Sequence, residues 1–223
     1  MINYVVDPKI LLSFVPKHTE LDHWNGNCYV SLVGFLFQDT RLKGIRVPCH
    51  VQFEEVNLRF YVKYFDGTEW KRGVVFIKEI VPKPALSFVA NLFFNEHYET
   101  RPMTHEWIEI GDELNMSYSW KMEKWNSMKI QVENEPVPIQ KDSEEEFITE
   151  HYWGYTKIDD KATLEYQVEH PRWNILPVKN YELAVDFEEN YGKTFGALNS
   201  LSPDSVFVAD GSEVIIRGGQ KII

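Results

Sequence analysis

The chain is punctuated by short turn sequences, each of which separates two stretches with the alternation of a β-strand. Asn25-Gly26 precedes CYVSLVGFLF, and Asp66-Gly67 lies between NLRFYVKYF and the stretch that contains GVVFIKEI. Asparagine, aspartate and glycine readily adopt the positive φ that tight hairpin turns require. Comparable turns follow at Lys124-Trp125-Asn126, Asp159-Asp160 and Gly211. The pattern therefore predicts a mainly β chain that is built from antiparallel hairpins.

The hairpins run from one end of the chain to the other, which favours one continuous and strongly bent sheet. The expected strands are residues 28–37, 56–65, 73–81, 115–123, 128–133, 162–169, 205–210 and 213–217. A main helix is expected from Pro84 to about Tyr98, because proline suits a first helical turn and apolar residues then recur at helical spacing. A short helix is expected to begin at Asp142 or Ser143, where acidic residues fill its first turn. Since no linker divides the chain, we expect a single domain over residues 1–223.

The composition argues against several classes of partner. The 223 residues include 23 Lys+Arg and 34 Asp+Glu, and the net charge is −11. A chain this acidic repels a phosphate backbone, so we expect no nucleic-acid partner. No apolar run approaches the roughly 20 residues that span a bilayer, so we expect no membrane attachment. Two cysteines do not make a disulfide framework, which favours the cytoplasm as the location.

Two short segments look like known functional motifs, but each lacks an essential residue. Gly192-Lys193-Thr194 ends like a phosphate-binding loop, yet Phe187 stands where the first glycine is required. His105-Glu106 begins like a zinc-binding HExxH helix, yet Glu109 occupies the position of the second histidine. We therefore predict no metal site and no cofactor.

Residues 55–62, EVNLRFYV, combine an apolar strand face with an unusual polar one. The apolar face consists of Val56, Leu58, Phe60 and Val62, and we expect it to pack against the helix from Pro84. The polar face consists of Asn57, Arg59 and Tyr61. If this face lines the interior, Arg59 needs an anionic or carbonyl partner, because an unpaired buried charge is costly. That partner is either a protein acid, such as Glu79 or Glu165, or a ligand.

Several segments, taken in order, resemble the YqjF-like family of uncharacterised bacterial proteins in the acetoacetate decarboxylase-like superfamily. They are LLSFVPKHTELDHWNGNCYVSLVGF, FEEVNLRFYVKYFDG, RGVVFIKEI, ANLFFNEHYETRPM, EHYWGYT, HPRWNILP and DGSEVIIRG. The resemblance covers nearly the whole chain. It implies an α+β, mainly β fold in which a strongly bent antiparallel sheet forms a cone-like or partly open β-barrel. One main helix and a few short helices are expected outside the sheet.

The superfamily's known chemistry is the decarboxylation of a β-keto acid by a lysine that forms a Schiff base and is activated by an adjacent lysine. The segment that corresponds to this lysine pair is His97-Tyr98-Glu99, and no Lys-Lys pair occurs anywhere in the chain. Lys78 remains as a possible amine, but its strand face is not determined by the sequence. The resemblance therefore implies the architecture and a cavity, and the departure from its motif weakens the superfamily's reaction.

Three functional interpretations follow. The first is a cytoplasmic protein that binds a small organic anion or carbonyl compound, with the ligand-binding candidates Arg59, Asn57, Tyr61 and Tyr98. The second is an enzyme of lyase or hydrolase type that acts on a keto acid or related carbonyl substrate, with Lys78 or His97 as the catalytic candidate. The third is a structural protein whose polar strand face holds internal ion pairs. The oligomeric state and the identity of the ligand are not determined by the sequence.

Overall fold

A computed structural model describes residues 1–42, 45–46, 52–84 and 97–223 of the chain. These residues are mainly β-strand. The strands are β1 Ile2–Val6, β2 Glu20–Leu21, β3 Cys28–Phe37, β4 Arg41–Leu42, β5 Ile45–Arg46, β6 Phe53–Phe65, β7 Trp70–Val81, β8 Tyr98–Thr100, β9 Met103–Ile110, β10 Glu113–Lys121, β11 Trp125–Glu133, β12 Val137–Pro138, β13 Trp153–Lys157, β14 Thr163–Glu169, β15 Asn174–Leu176, β16 Val178–Ala184, β17 Ser205–Val206, β18 Val208–Ala209, β19 Ile215–Ile216 and β20 Gln220–Ile222. The helices are α1 Glu144–Thr149 and α2 Phe187–Tyr191, with 3-10 turns at Pro8–Ile10 and Lys193–Ser200.

The largest sheet has the strand order β17-β1-β3-β6-β7-β13-β14-β19, with β2, β8 and β20 attached to its central strands. Most of its pairings are antiparallel, whereas β7 runs parallel to β8 and to β13. A second sheet has the order β16-β11-β10-β9, and smaller sheets are formed by β12-β15-β18 and β4-β5. Within the described residues, neither of the two larger strand paths returns to its first strand, so these sheets are not closed.

Several expected strands agree with the structure, but they do not form one continuous sheet. Strand β3 has the expected bounds, and β6 and β7 extend the expected ranges by a few residues. The strands predicted at 115–123 and 128–133 are β10 and β11, and they belong to the second sheet. The alternation of a strand identifies which face is apolar, but it does not say which other strand that face will meet. The prediction of a single sheet was wrong for this reason.

The main helix predicted from Pro84 mostly falls outside the described residues, since 85–96 are not among them. Its expected end is wrong, because Tyr98 lies in strand β8 and pairs in parallel with Glu79 of β7. The short helix after Ser143 is confirmed as α1. The Ser143 side chain accepts a hydrogen bond from the Glu146 main-chain nitrogen at 3.2 Å, which caps the helix.

The apolar face of β6 is buried against the second sheet and α2. Leu58 and Phe60 have no exposed surface, and they share a core cluster with Met116, Trp120 and Met128. The expected packing of this face against the helix from Pro84 lies outside the described residues. Met116, Tyr118 and Trp120 of β10 also belong to this core. In the described part of the chain, no helix is both long and apolar enough to cross a membrane.

Replacement of Leu58 by alanine tests this packing. We expect L58A to lower the free energy of unfolding by about 2–5 kcal/mol, because the truncated side chain leaves a cavity between two packed layers. The control is L12A, since Leu12 is 61% exposed and its truncation should cost no more than about 0.5 kcal/mol. Urea denaturation of both variants measures the difference. Equal effects would contradict the assignment of Leu58 to the core.

Candidate functional site

Asn57, Arg59 and Tyr61 lie on the face of β6 opposite the Leu58 and Phe60 core, as the alternation predicts. This second face is also buried. The Tyr61 ring packs edge-on against Phe147 of α1, with ring centroids 5.4 Å apart. Because both faces of the strand are covered, its polar side chains stand inside the protein rather than in solvent.

Arg59 has no acidic partner among the described residues. Its Nη2 atom contacts the Met1 sulfur at 3.7 Å, and its guanidinium carbon lies 5.8 Å from the centroid of the Tyr61 ring. The Nε atom is buried and has no hydrogen-bond partner. No ion pair between described residues includes Arg59. The guanidinium is therefore held in place by a thioether and an aromatic ring, with hydrogen-bonding capacity to spare.

The two acids that the sequence offered as partners are placed otherwise. Glu165 is fully buried and accepts hydrogen bonds from Lys71 at 3.3 Å, Tyr155 at 3.0 Å and Gln220 at 2.7 Å. Glu79 is buried beside Tyr98 and forms no ion pair with Arg59. The expectation of an internal ion pair from Arg59 to either acid was wrong.

The Tyr61 hydroxyl belongs to a buried hydrogen-bond chain. The Ser31 hydroxyl donates to Asn3 Oδ1 at 2.6 Å, and Asn3 in turn donates to the Ser205 hydroxyl at 2.9 Å. Since the Ser31 proton is used in this way, the Tyr61 hydroxyl donates to Ser31 Oγ at 2.6 Å. Toward a ligand Tyr61 thus presents its ring and a hydroxyl that can only accept.

Asn57 and Tyr98 are both joined to Glu55. The Asn57 amide donates to one carboxylate oxygen at 2.9 Å, and the Tyr98 hydroxyl donates to the other at 3.2 Å. Burial and the negative charges of Glu55 and Glu79 raise the pKa of Tyr98 well above its usual value, so it stays a donor. Because a carboxylate only accepts, the Asn57 nitrogen must face Glu55, and Asn57 Oδ1 is left buried without a partner.

The two catalytic candidates, Lys78 and His97, do not lie on the polar face of β6 with Arg59. Lys78 pairs across the strands with Leu58, which puts it on the other face of the sheet, and its amine lies 2.8 Å from Glu99 Oε2. Burial by itself would raise the pKa of Glu99, but hydrogen bonds and positive charges from Lys78 and Arg101 hold it below its ordinary value. The Lys78 amine is thus engaged in an ion pair. The His97 side chain is exposed, and its carbonyl accepts a hydrogen bond from the Glu79 main chain at 3.1 Å.

A buried cluster that the sequence did not indicate lies beside Tyr61. His151, the second residue after α1, packs against the Tyr61 ring with centroids 4.6 Å apart and the ring planes tilted by 39°, and it forms a T-shaped contact with Phe147 at 5.2 Å. Its Nε2 atom is 3.2 Å from Asp22 Oδ2, which also accepts from Arg72 Nε at 2.7 Å. The three charged or titratable residues are far apart in sequence and carry no common motif, so only the fold brings them together.

Burial and charge set the protonation of this cluster. Burial by itself would raise the pKa of Asp22, but hydrogen bonds and charges from His151 and Arg72 lower it to about 2. Burial lowers the pKa of His151 to about 4; the bond to Asp22 opposes this, and the positive charges of Arg72 and Arg59 reinforce it. At neutral pH the cluster therefore consists of an aspartate, a neutral imidazole and a guanidinium.

Comparisons with known proteins agree with this description of the fold. A family model named DUF2071 and described as "Uncharacterized conserved protein" matches residues 1–213. The uncharacterized protein YqjF of Bacillus subtilis (strain 168) is 29% identical over 187 residues, which are 82% of this chain and 74% of that protein. The YqjF-like resemblance is therefore confirmed.

Two solved structures have a similar fold. The enduracididine biosynthesis enzyme MppR, complexed with pyruvate, has a TM-score of 0.65 at 13% identity, over 99% of this chain and 86% of that one. An acetoacetate decarboxylase-like enzyme from Sphingomonas wittichii RW1 has a TM-score of 0.60 at 11% identity, over 99% and 89%. At these identities the likeness concerns the fold, and it confirms the expected acetoacetate decarboxylase-like architecture.

The His151 site makes stability depend on pH. The folded-state pKa of about 4 lies below the ordinary 6.5, so below pH 6.5 the unfolded chain binds a proton that the folded chain does not. We expect this to lower the free energy of unfolding by about 2 kcal/mol between pH 7 and pH 5. The stabilising contribution of Asp22 is lost only at lower pH, between its ordinary 3.8 and about 2.

The measurement is urea denaturation at several pH values for the wild type and for H151Q. Glutamine can still donate a hydrogen bond to Asp22, but it does not titrate in this range. Between pH 7 and pH 5, we expect the free energy of unfolding to fall less in H151Q than in the wild type, by the same ~2 kcal/mol. Identical slopes in the two proteins would show that His151 is not buried in its neutral form.

Proposed function

The chain belongs to the DUF2071 family of uncharacterized conserved proteins, and we propose that it binds a small organic anion or carbonyl compound through Arg59. The observation that carries this proposal is the guanidinium itself. It is partly buried, its Nε has no hydrogen-bond partner, and none of the described acids forms an ion pair with it. A charge held in this way is costly unless something compensates it.

A carboxylate suits the available atoms. A guanidinium binds a carboxylate through two parallel N–H···O bonds. Arg59 offers its Nε together with Nη2, which forms only a weak contact to the Met1 sulfur among the described residues. Glu55 and Glu79 lie further along the same polar face, which β6 shares with β7. On β6, Asn57 stands between Arg59 and Glu55. The negative charges of Glu55 and Glu79 attract the guanidinium, and they also disfavour a second anionic group of a ligand near them.

The fold comparison supports the choice of probe. The structure of MppR that resembles this chain contains pyruvate, a carboxylate with an adjacent carbonyl. For this chain a 2-oxo acid is thus a reasonable first probe, although Arg59 by itself selects only for the anion. A cytoplasmic location stays a prediction.

Substitution of Arg59 tests the proposal. We expect pyruvate or another small carboxylate to raise the melting temperature of the wild type and to have no effect on R59M. R59K should respond more weakly, because an ammonium keeps the charge but cannot form the two parallel bonds. The control is R217M, since Arg217 is an exposed arginine paired with Glu169, and it should respond like the wild type.

The same variant distinguishes ligand binding from a structural role. Removal of one partner of a buried ion pair costs about 3–5 kcal/mol. Because Arg59 has no such partner among the described residues, we expect R59M to change the free energy of unfolding by less than about 1 kcal/mol. A loss of several kcal/mol in R59M, or an undiminished response to carboxylates, would refute the proposal.

An enzyme that acts on a keto acid is the second candidate, because solved structures with this fold include an acetoacetate decarboxylase-like enzyme. The structure offers little support for Schiff-base chemistry by Lys78, whose amine is paired with Glu99 at 2.8 Å. A charged amine is not a nucleophile.

Borohydride trapping tests this second candidate. We expect incubation with acetoacetate and sodium borohydride to leave the protein mass unchanged, since the one lysine that the sequence offered as a catalytic amine is engaged in an ion pair with Glu99. Intact-mass spectrometry is the measurement. A stable adduct that peptide mapping places on Lys78, or on any other lysine, would favour the enzyme.

A further inference from the structure

Among the described residues, one nitrogen of the His151 imidazole has no hydrogen-bond partner. Its Nε2 faces Asp22 Oδ2 at 3.2 Å, and its Nδ1 is buried without a hydrogen-bond partner. Only 6% of the residue is exposed. A buried polar atom without a partner destabilises a protein, so such atoms are uncommon away from sites that receive a ligand or water.

The hydrogen-bonding role of this nitrogen follows from its neighbours. A carboxylate can only accept a hydrogen bond, and Asp22 already accepts one from Arg72 Nε at 2.7 Å. The hydrogen of a neutral imidazole must therefore lie on Nε2, where Asp22 accepts it. Nδ1 is then a lone-pair acceptor, and it can be satisfied only by a group that donates a hydrogen.

His151 and Arg59 lie against the same ring. The imidazole packs against the Tyr61 ring at 4.6 Å between centroids, and the Arg59 guanidinium carbon lies 5.8 Å from the centroid of that ring. The two groups are close enough for the charge of Arg59 to contribute to the low pKa of His151. A small molecule bound to Arg59 thus lies in the neighbourhood of an unsatisfied acceptor.

The other side of Arg59 offers an acceptor as well. Asn57 is two residues away on the same strand face, about 7 Å along β6, and its Oδ1 is buried without a partner. Arg59 therefore has Asn57 on one side along β6, and on the other side Tyr61, against which His151 packs.

We propose that the carboxylate held by Arg59 belongs to a hydroxycarboxylate, whose hydroxyl donates a hydrogen bond to His151 Nδ1. This inference rests on the proposed function and specifies its ligand class. A keto acid would offer only acceptors, so His151 Nδ1 would stay unsatisfied. An ammonium donor is less suitable than a hydroxyl, because the positive charges of Arg59 and Arg72 already act on His151.

Matched pairs of acids that differ only in this group provide the test. The probes are lactate with pyruvate and 2-hydroxyglutarate with 2-oxoglutarate, and isothermal titration calorimetry measures their affinities. We expect the wild type to bind the hydroxy acid of at least one pair roughly tenfold more tightly, because the oxo acid leaves a buried acceptor unpaired. In H151F, which has no acceptor, the ratio should fall toward one.

A second variant separates a positioning role from a structural one. H151Q keeps a donor for Asp22 and carries an acceptor oxygen, so it should recover part of the preference that H151F loses. R59M should lose affinity for both acids of a pair. Circular dichroism and urea denaturation confirm that each variant is folded.

The outcomes distinguish this inference from the function on which it rests. If the oxo acid binds as tightly as the hydroxy acid and R59M abolishes both, the anion site stands and the hydroxycarboxylate assignment fails. If H151F keeps the full preference, the role of His151 fails. If none of the four acids binds to the wild type, the proposed function and this inference both fail.

Discussion

Burial of β6 on both faces is the constraint on which the rest of the structure depends. Leu58 and Phe60 on one face complete the core between the two larger sheets, and neither has any exposed surface. The opposite face is covered by α1 and carries an amide, a guanidinium and a phenol. Because the apolar face fixes the orientation of the strand, Asn57 and Tyr61 are buried and Arg59 is partly buried, so these polar groups need partners inside the protein.

The hydrogen-bond partners of these buried groups distinguish structural side chains from candidate ligand-binding ones. Tyr61 is satisfied by the chain through Ser31 and Asn3, and Glu165 by three donors. Polar groups of this kind mainly hold neighbouring strands together, and the Tyr61 hydroxyl has no hydrogen left to donate to a ligand. Arg59 and His151, in contrast, each retain one buried nitrogen without a partner. A site that binds a small molecule needs such atoms, because a group already satisfied inside the protein gains little from a new bond.

The fold resembles that of an acetoacetate decarboxylase-like enzyme, but this chain has no Lys-Lys pair. The one lysine that the sequence offered as a candidate amine, Lys78, is neutralised by Glu99 on the other face of the sheet. The buried face instead combines a guanidinium, an imidazole held by Asp22, and an amide. A similar scaffold can therefore accommodate another kind of chemistry, since side chains at a few strand positions decide what the interior offers.

The sequence by itself determined the mainly β class, the bounds of strands such as β3, the two faces of β6 and the family. These features follow from alternation and turn residues, which act over a few neighbouring positions. Only the tertiary structure decided that β10 and β11 form a second sheet, that Arg59 lacks an acid, and that Asp22, Arg72 and His151 meet beside Tyr61. Contacts between residues so far apart depend on how whole sheets and helices pack, and no local pattern records that packing.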